Sequence, residues 1–309
     1  MQALAVVMHE PERLELSQLT LTVPGDDDVV VAITSSGIST GTEKLLWQGR
    51  MPHFPGMGYP LVPGYESVGR VSRASGQHRV GDHVFVPGAK CFGEVRGLFG
   101  GAASHLVVPA ARVIPIDAAM GERGVLLALA ATAKHAFAGH NTQPDLIIGH
   151  GVLGRLVARL AVLAGASPTV WEIDPLRAEG AVGYVVVHPD QDDRRDYSCI
   201  CDASGEAGLL DKLVGRLAQG GEIVLAGFYT DRINFAFAPA FMREARLRIA
   251  SQFLEADLVA VRNLYDDGRL SLDGLITHHC PPAQAADGYR QAFTDPSCLK
   301  MVLNWSSSI

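Results

Sequence analysis

Asp145-Leu146-Ile147-Ile148-Gly149-His150-Gly151-Val152-Leu153-Gly154 is the stretch whose reading decides the fold. Three apolar residues after an acid predict a short buried strand, and the G-x-G-x-x-G that follows predicts a tight turn into a helix. That helix carries Leu153, Leu156, Val157, Leu160 and Leu163 on one face, with Arg155 and Arg159 four apart on the opposite one. Gly149 permits the turn, Gly151 lets the backbone approach a pyrophosphate, and Gly154 lets the helix pack closely on the strand. The first N–H groups of the helix then face an anion. A second strand, Thr169-Val170-Trp171, ends at Glu172, 18 residues past Gly154. A carboxylate there grips ribose hydroxyls and repels a 2′-phosphate, so NAD is expected over NADP. The cofactor-binding set is Gly149, His150, Gly151, Val152, Leu153, Gly154 and Glu172, joined by Ser204 and Gly227 in loops after later strands. His150 either reaches the ligand or caps its own loop. Asp174, before Pro175, reads as a helix cap.

Outward from this motif the chain changes texture. Residues 123–253 alternate strand and helix, which predicts a doubly wound parallel sheet. Residues 1–122 carry short β-rich runs punctuated by Pro24-Gly25, Pro63-Gly64 and Pro87-Gly88, as in a small barrel or sandwich. Residues 254–309 hold two amphipathic helical stretches around an extended patch. The expected class is therefore α/β, with a β-rich domain at 1–122, a Rossmann domain at 123–253 and a return to the first domain at 254–309.

Composition narrows the function. Of 309 residues, 48% are hydrophobic and 19% charged, which fits an ordered globular chain. The net charge of −7 disfavours nucleic acid as a partner. Five cysteines, odd in number and without a C-x-x-C pair, argue against a disulfide framework and for a reducing cytoplasm. The most apolar region contains His150, Arg155 and Arg159, so no membrane span is expected. A homo-oligomer remains open.

Three stretches of the first domain, Ser36–Glu43, Pro63-Gly64-Tyr65-Glu66-Ser67-Val68-Gly69 and Val80-Gly81-Asp82-His83-Val84, together with the glycine motif, resemble the medium-chain dehydrogenase/reductase superfamily. The resemblance implies a GroES-like catalytic domain beside the Rossmann domain, and a hydride transfer. Two of its catalytic zinc ligands fall at Ser39 and Tyr65, and the third near Ala128. Zinc takes Cys, His and carboxylate donors, and of these only Glu66 remains, so no metal is expected. Gly37–Trp47, Phe54–Glu66 and Pro87–Ala102 are similar to a zinc-free branch that acts on bacteriochlorophyllides. That likeness implies NAD-dependent oxidation of a C3 1-hydroxyethyl group to acetyl, within bacteriochlorophyll biosynthesis. Two alternatives stay open: a zinc-free quinone or enone reductase, and a nucleotide-binding protein without catalysis.

Without zinc, another group must take the carbinol proton. Conjugation with the macrocycle spreads the charge that develops as hydride leaves, and a side-chain relay supplies the rest. The catalytic candidates are Tyr65, Glu66, Ser39, Thr42 and Lys44, and Tyr65 needs Lys44 or a similar cation nearby to be acidic enough to act as base. Trp47, Phe54, Met57, Tyr59, Phe92 and Phe99 are candidate walls for a flat substrate, and His53 a candidate magnesium ligand.

Overall fold

A computed structural model describes residues 1–138 and 142–306. It divides into two compact units, residues 1–128 with 273–309 and residues 129–272. The sequence reading began the return to the first domain at 254. In the structure the helix Glu255–Asp266 belongs to the second unit, and the return begins at Asp273.

The second unit is built on six parallel strands. Their order across the sheet is Val185–Val187, Thr169–Trp171, Leu146–Ile148, Tyr197–Asp202, Leu217–Leu225 and Arg246–Ile249. In chain order that is third, second, first, fourth, fifth, sixth, so the winding reverses beside Leu146–Ile148. Open α/β sheets bind ligands at such a reversal, beyond the carboxyl ends of the strands. Leu146 and Ile147 are fully buried, as an inner strand covered on both faces requires. The helix Val152–Leu163 buries Leu156, Val157, Leu160 and Ala161 on its sheet side. The helix that Asp174 precedes is short, Pro175–Ala178.

The first unit carries two sheets. One runs His278–Cys280, Met301–Asn304, Asp28–Ile38, Ser67–Arg73, His83–Val86 and Ile114–Pro115, with His105–Pro109 also on Asp28–Ile38. The other orders Arg13–Thr20, Gln2–Glu10, Leu61–Val62 and Arg96–Gly97. The strand Met301–Asn304 pairs antiparallel with the end of Asp28–Ile38, setting Met301 opposite Ile38. This register carries Lys300 to the doorstep of Ser39, and buried Trp305 donates to Ser36 Oγ at 2.9 Å. Among the described residues, no helix is long and apolar enough to cross a membrane.

Candidate active site

In the second unit the glycine turn has the build its spacing predicts. Gly149 has φ +91°, and a Cβ on Gly154 would lie 1.9 Å from the Gly149 carbonyl oxygen. At Gly151, by contrast, a Cβ would enter open space. Gly151 also starts the twelve-residue helix with no side chain capping its first turn. Free N–H groups beside open space suit a phosphate, so the residues fit a dinucleotide. Val152 and Leu153 form the first turn itself.

Glu172 is tied to this loop. Its carboxylate accepts from His150 N at 3.0 Å, Ile173 N at 2.8 Å and Asp174 N at 2.9 Å. Asp174 caps the following helix through Leu176 N at 2.9 Å, as expected. The neighbouring loops close in. Ser204 bonds Asp202 through both its N and Oγ, and Gly227 N donates to the Asp202 carbonyl at 2.9 Å. A Cβ on Gly149 would stand 3.5 Å from Ser204 Cα. The glycine turn and the Ser204 loop therefore share one rim.

Of the two roles open to His150, its ring has the internal one: it is fully buried, with Nδ1 2.6 Å from the Arg177 carbonyl and Nε2 2.8 Å from Tyr184 Oη. Burial pushes its imidazole down to about 4, so it stays neutral. Arg155 does not lie on an outer polar face. It is 5% exposed and donates to the carbonyls of His150, Arg177, Glu179 and Gly180. The helix that stops at Ala178 leaves the carbonyls of Arg177, Glu179 and Gly180 near its end, and a guanidinium with five donors satisfies these and that of His150.

In the first unit, strand and helix ends bring the other candidates together. Ser39 lies just beyond Asp28–Ile38, Thr42 opens the helix Thr42–Trp47, and Tyr65-Glu66 leads into Ser67–Arg73. Ser39 Oγ and Tyr65 Oη are 2.7 Å apart, and Thr42 hydrogen-bonds the same phenol. Burial pushes the Tyr65 phenol well above its usual range, and the Glu66 charge adds to this. Tyr65 is therefore a hydroxyl at neutral pH, not a phenolate.

Lys44 does not supply the expected cation. Its Nζ donates to the Phe293 carbonyl at 3.0 Å. The buried cation is Lys300, 1% exposed, whose Nζ lies 2.6 Å from Glu66 Oε2 and 3.2 Å from the Ile38 carbonyl. Glu66 is fully buried, and its Oε1 has no hydrogen-bond partner. Burial raises its carboxyl, while Lys300 pulls the other way. Glu43, also missed, is fully buried beneath the hydroxyls. It accepts from Ser39 N at 3.0 Å and Tyr289 Oη at 2.6 Å, and burial raises it to about 7. Glu43 closes the Ser36–Glu43 stretch without a role assigned to it there, whereas no motif marks Lys300 and only the strand register finds it.

The zinc of the wider superfamily does not fit. Two of its places hold hydroxyls, Ala128 offers a methyl, and the one carboxylate already bears an ammonium. Among the described residues, no group of three His, Cys, Asp or Glu is placed to hold a metal. His53 is exposed. Of the six proposed wall residues, Trp47 and Phe92 are buried in the core and Phe54, Met57 and Tyr59 pack against it. Of these six, Phe99 alone is exposed, its ring perpendicular to that of Tyr65 at 5.6 Å between centroids.

Comparison with known proteins agrees with this geometry. Residues 25–118 match the alcohol dehydrogenase GroES-like domain family. An alcohol dehydrogenase of Escherichia coli CFT073, solved in complex with NADH, superposes with a TM-score of 0.83 at 20% identity, covering 98% of this chain and 99% of that one. The 2-desacetyl-2-hydroxyethyl bacteriochlorophyllide A dehydrogenase of Rhodobacter capsulatus is 59% identical over 313 residues, the whole of both chains. Its counterpart from Cereibacter sphaeroides is 55% identical over 317 residues, again the whole of both. With more than half its residues shared from end to end, the chain belongs to the 2-desacetyl-2-hydroxyethyl bacteriochlorophyllide A dehydrogenase family of the medium-chain dehydrogenases/reductases.

Proposed function

We propose that this chain oxidises the C3 1-hydroxyethyl group of a bacteriochlorophyllide to an acetyl group, with NAD as hydride acceptor. The observation that carries the reading is the 59% identity, over the full length of both chains, to a relative of that name. The site chemistry supports it. Gly149, Gly151, Val152, Leu153 and Gly154 hold the pyrophosphate, and Ser204 and Gly227 border it. A nicotinamide held there would supply the hydride acceptor. Glu172, fixed by three backbone N–H groups, binds the adenosine ribose hydroxyls and sets its negative charge against a 2′-phosphate.

Ser39 and Tyr65 hold the carbinol oxygen between two hydroxyls, where a metal would otherwise bind. As the carbon–hydrogen bond breaks and the hydride goes to the nicotinamide, the hydroxyl proton passes along this pair and out to solvent, with Thr42 steadying Tyr65. Positioned acid–base groups of this kind contribute about 10²–10⁴-fold. Glu66, neutralised by Lys300, fixes the segment that bears Tyr65.

The test mixes the purified protein with a 3-(1-hydroxyethyl) bacteriochlorophyllide and either NAD or NADP. Oxidation is read as NADH formation together with a shift of the red absorption band when the acetyl group joins the conjugated ring. Equal rates with NAD and NADP would refute the role of Glu172. No band shift with either would refute the reaction.

A further inference from the structure

We propose that Phe99 is the residue on which the flat pigment ring rests, and so determines which alcohols present their hydroxyl to Tyr65. This rests on the substrate class proposed above. Large conjugated rings bind by stacking on aromatic faces. Phe99 is 37% exposed and its ring stands perpendicular to that of Tyr65, 5.6 Å between centroids. No other candidate wall residue is both exposed and in ring contact with the hydroxyl pair.

The backbone beneath the ring is held as tightly as the glycine turn. Phe99 O accepts from Ala89 N at 2.8 Å, while Leu98 N and Gly100 N both reach the Val62 carbonyl at 2.9 Å. A Cβ on Gly88 would lie 2.1 Å from Phe99 O, and one on Gly100 would lie 1.9 Å from Ala89 O. Glycine is needed at both places so that the irregular segments 87–90 and 98–101 can close on one another. A surface loop that served only to connect would need neither approach. Such a fixed ring binds without first being ordered, which spares entropy on association. A macrocycle lying against Phe99 brings a substituent on its rim towards Tyr65 Oη. A small aliphatic alcohol has no face to lay there.

The test titrates a 3-(1-hydroxyethyl) bacteriochlorophyllide into wild type, Phe99→Leu and Phe99→Tyr, following the red band without nucleotide. NADH affinity and melting temperature are measured in parallel. Phe99→Leu keeps the apolar bulk and loses the aromatic face, so its Kd should rise about tenfold, the order that one stacked ring supplies. Phe99→Tyr should stay within about twofold of wild type, with NADH affinity and melting temperature unmoved in both. An unchanged Kd in Phe99→Leu overturns the proposal. So does equal weakening by both variants, or loss of NADH affinity with the pigment's, because either marks a structural role. A wild type that binds pigment without oxidising it refutes the reaction and leaves the stacking role standing. A wild type that binds no pigment refutes the stacking role.

Discussion

Tyr65 and Glu43 show how much of a residue's chemistry depends on what lies behind it. Removing the phenol oxygen leaves Ser39 Oγ without its 2.7 Å partner and, in the proposed mechanism, the carbinol without one of its two contacts. Tyr65→Phe should therefore lower kcat about 10²-fold with NADH affinity unchanged, measured by steady-state turnover and nucleotide titration. Glu43 leads to a pH prediction. Its carboxyl is raised from 4.5 to about 7 in the folded chain, so between those values the folded state holds a proton that the unfolded state has lost. Stability from this group is complete below 4.5 and declines as pH rises through 7, by up to about 3 kcal/mol. Glu43→Gln should flatten that decline in urea unfolding series run across the interval. Residue types at this scale were readable: Ser39, Thr42, Tyr65 and Glu66 do come together. The direction of Lys44 was not, because two residues of separation from Thr42 place a side chain elsewhere around a helix.

At the scale of elements, the strand–turn–helix unit is the most legible part of the molecule, because its spacing states its own geometry. Gly154→Ala would place a methyl against the Gly149 carbonyl. The helix must then move off the strand, and NADH affinity should fall by at least tenfold in a fluorescence titration. The polar side of the same helix misled. Arg155 sits where an amphipathic pattern faces water, yet it is buried because the next helix stops at Ala178 and leaves carbonyls to be met. Periodicity describes one helix at a time and carries no record of a neighbour's length. The helix Phe237–Met242 was missed for a related reason: six residues with Pro239 inside give no periodic signal.

On the scale of the whole molecule, the fold class was legible and the pairing that completes the first unit was not. Alternating strands and helices predict a wound sheet wherever they occur. The register that sets Met301 opposite Ile38 depends on residues far apart in sequence. Lys300 and Glu66 are 234 positions apart in sequence, yet Nζ and Oε2 stand 2.6 Å from each other. Lys300→Met would leave a carboxylate buried without its cation, and should cost about 3–5 kcal/mol in chemical denaturation. The double change with Glu66→Gln should recover part of that loss, since neither charge is then stranded.

This wide separation also orders events on the ribosome. Glu66 emerges early, but its counterion is translated only after every residue of the nucleotide-holding unit. The nascent first unit must wait with an acid that has no place in an apolar interior, while residues 129–272 are free to fold in the meantime. Maturation of the alcohol-handling half is thereby postponed until the half that carries the oxidant already exists.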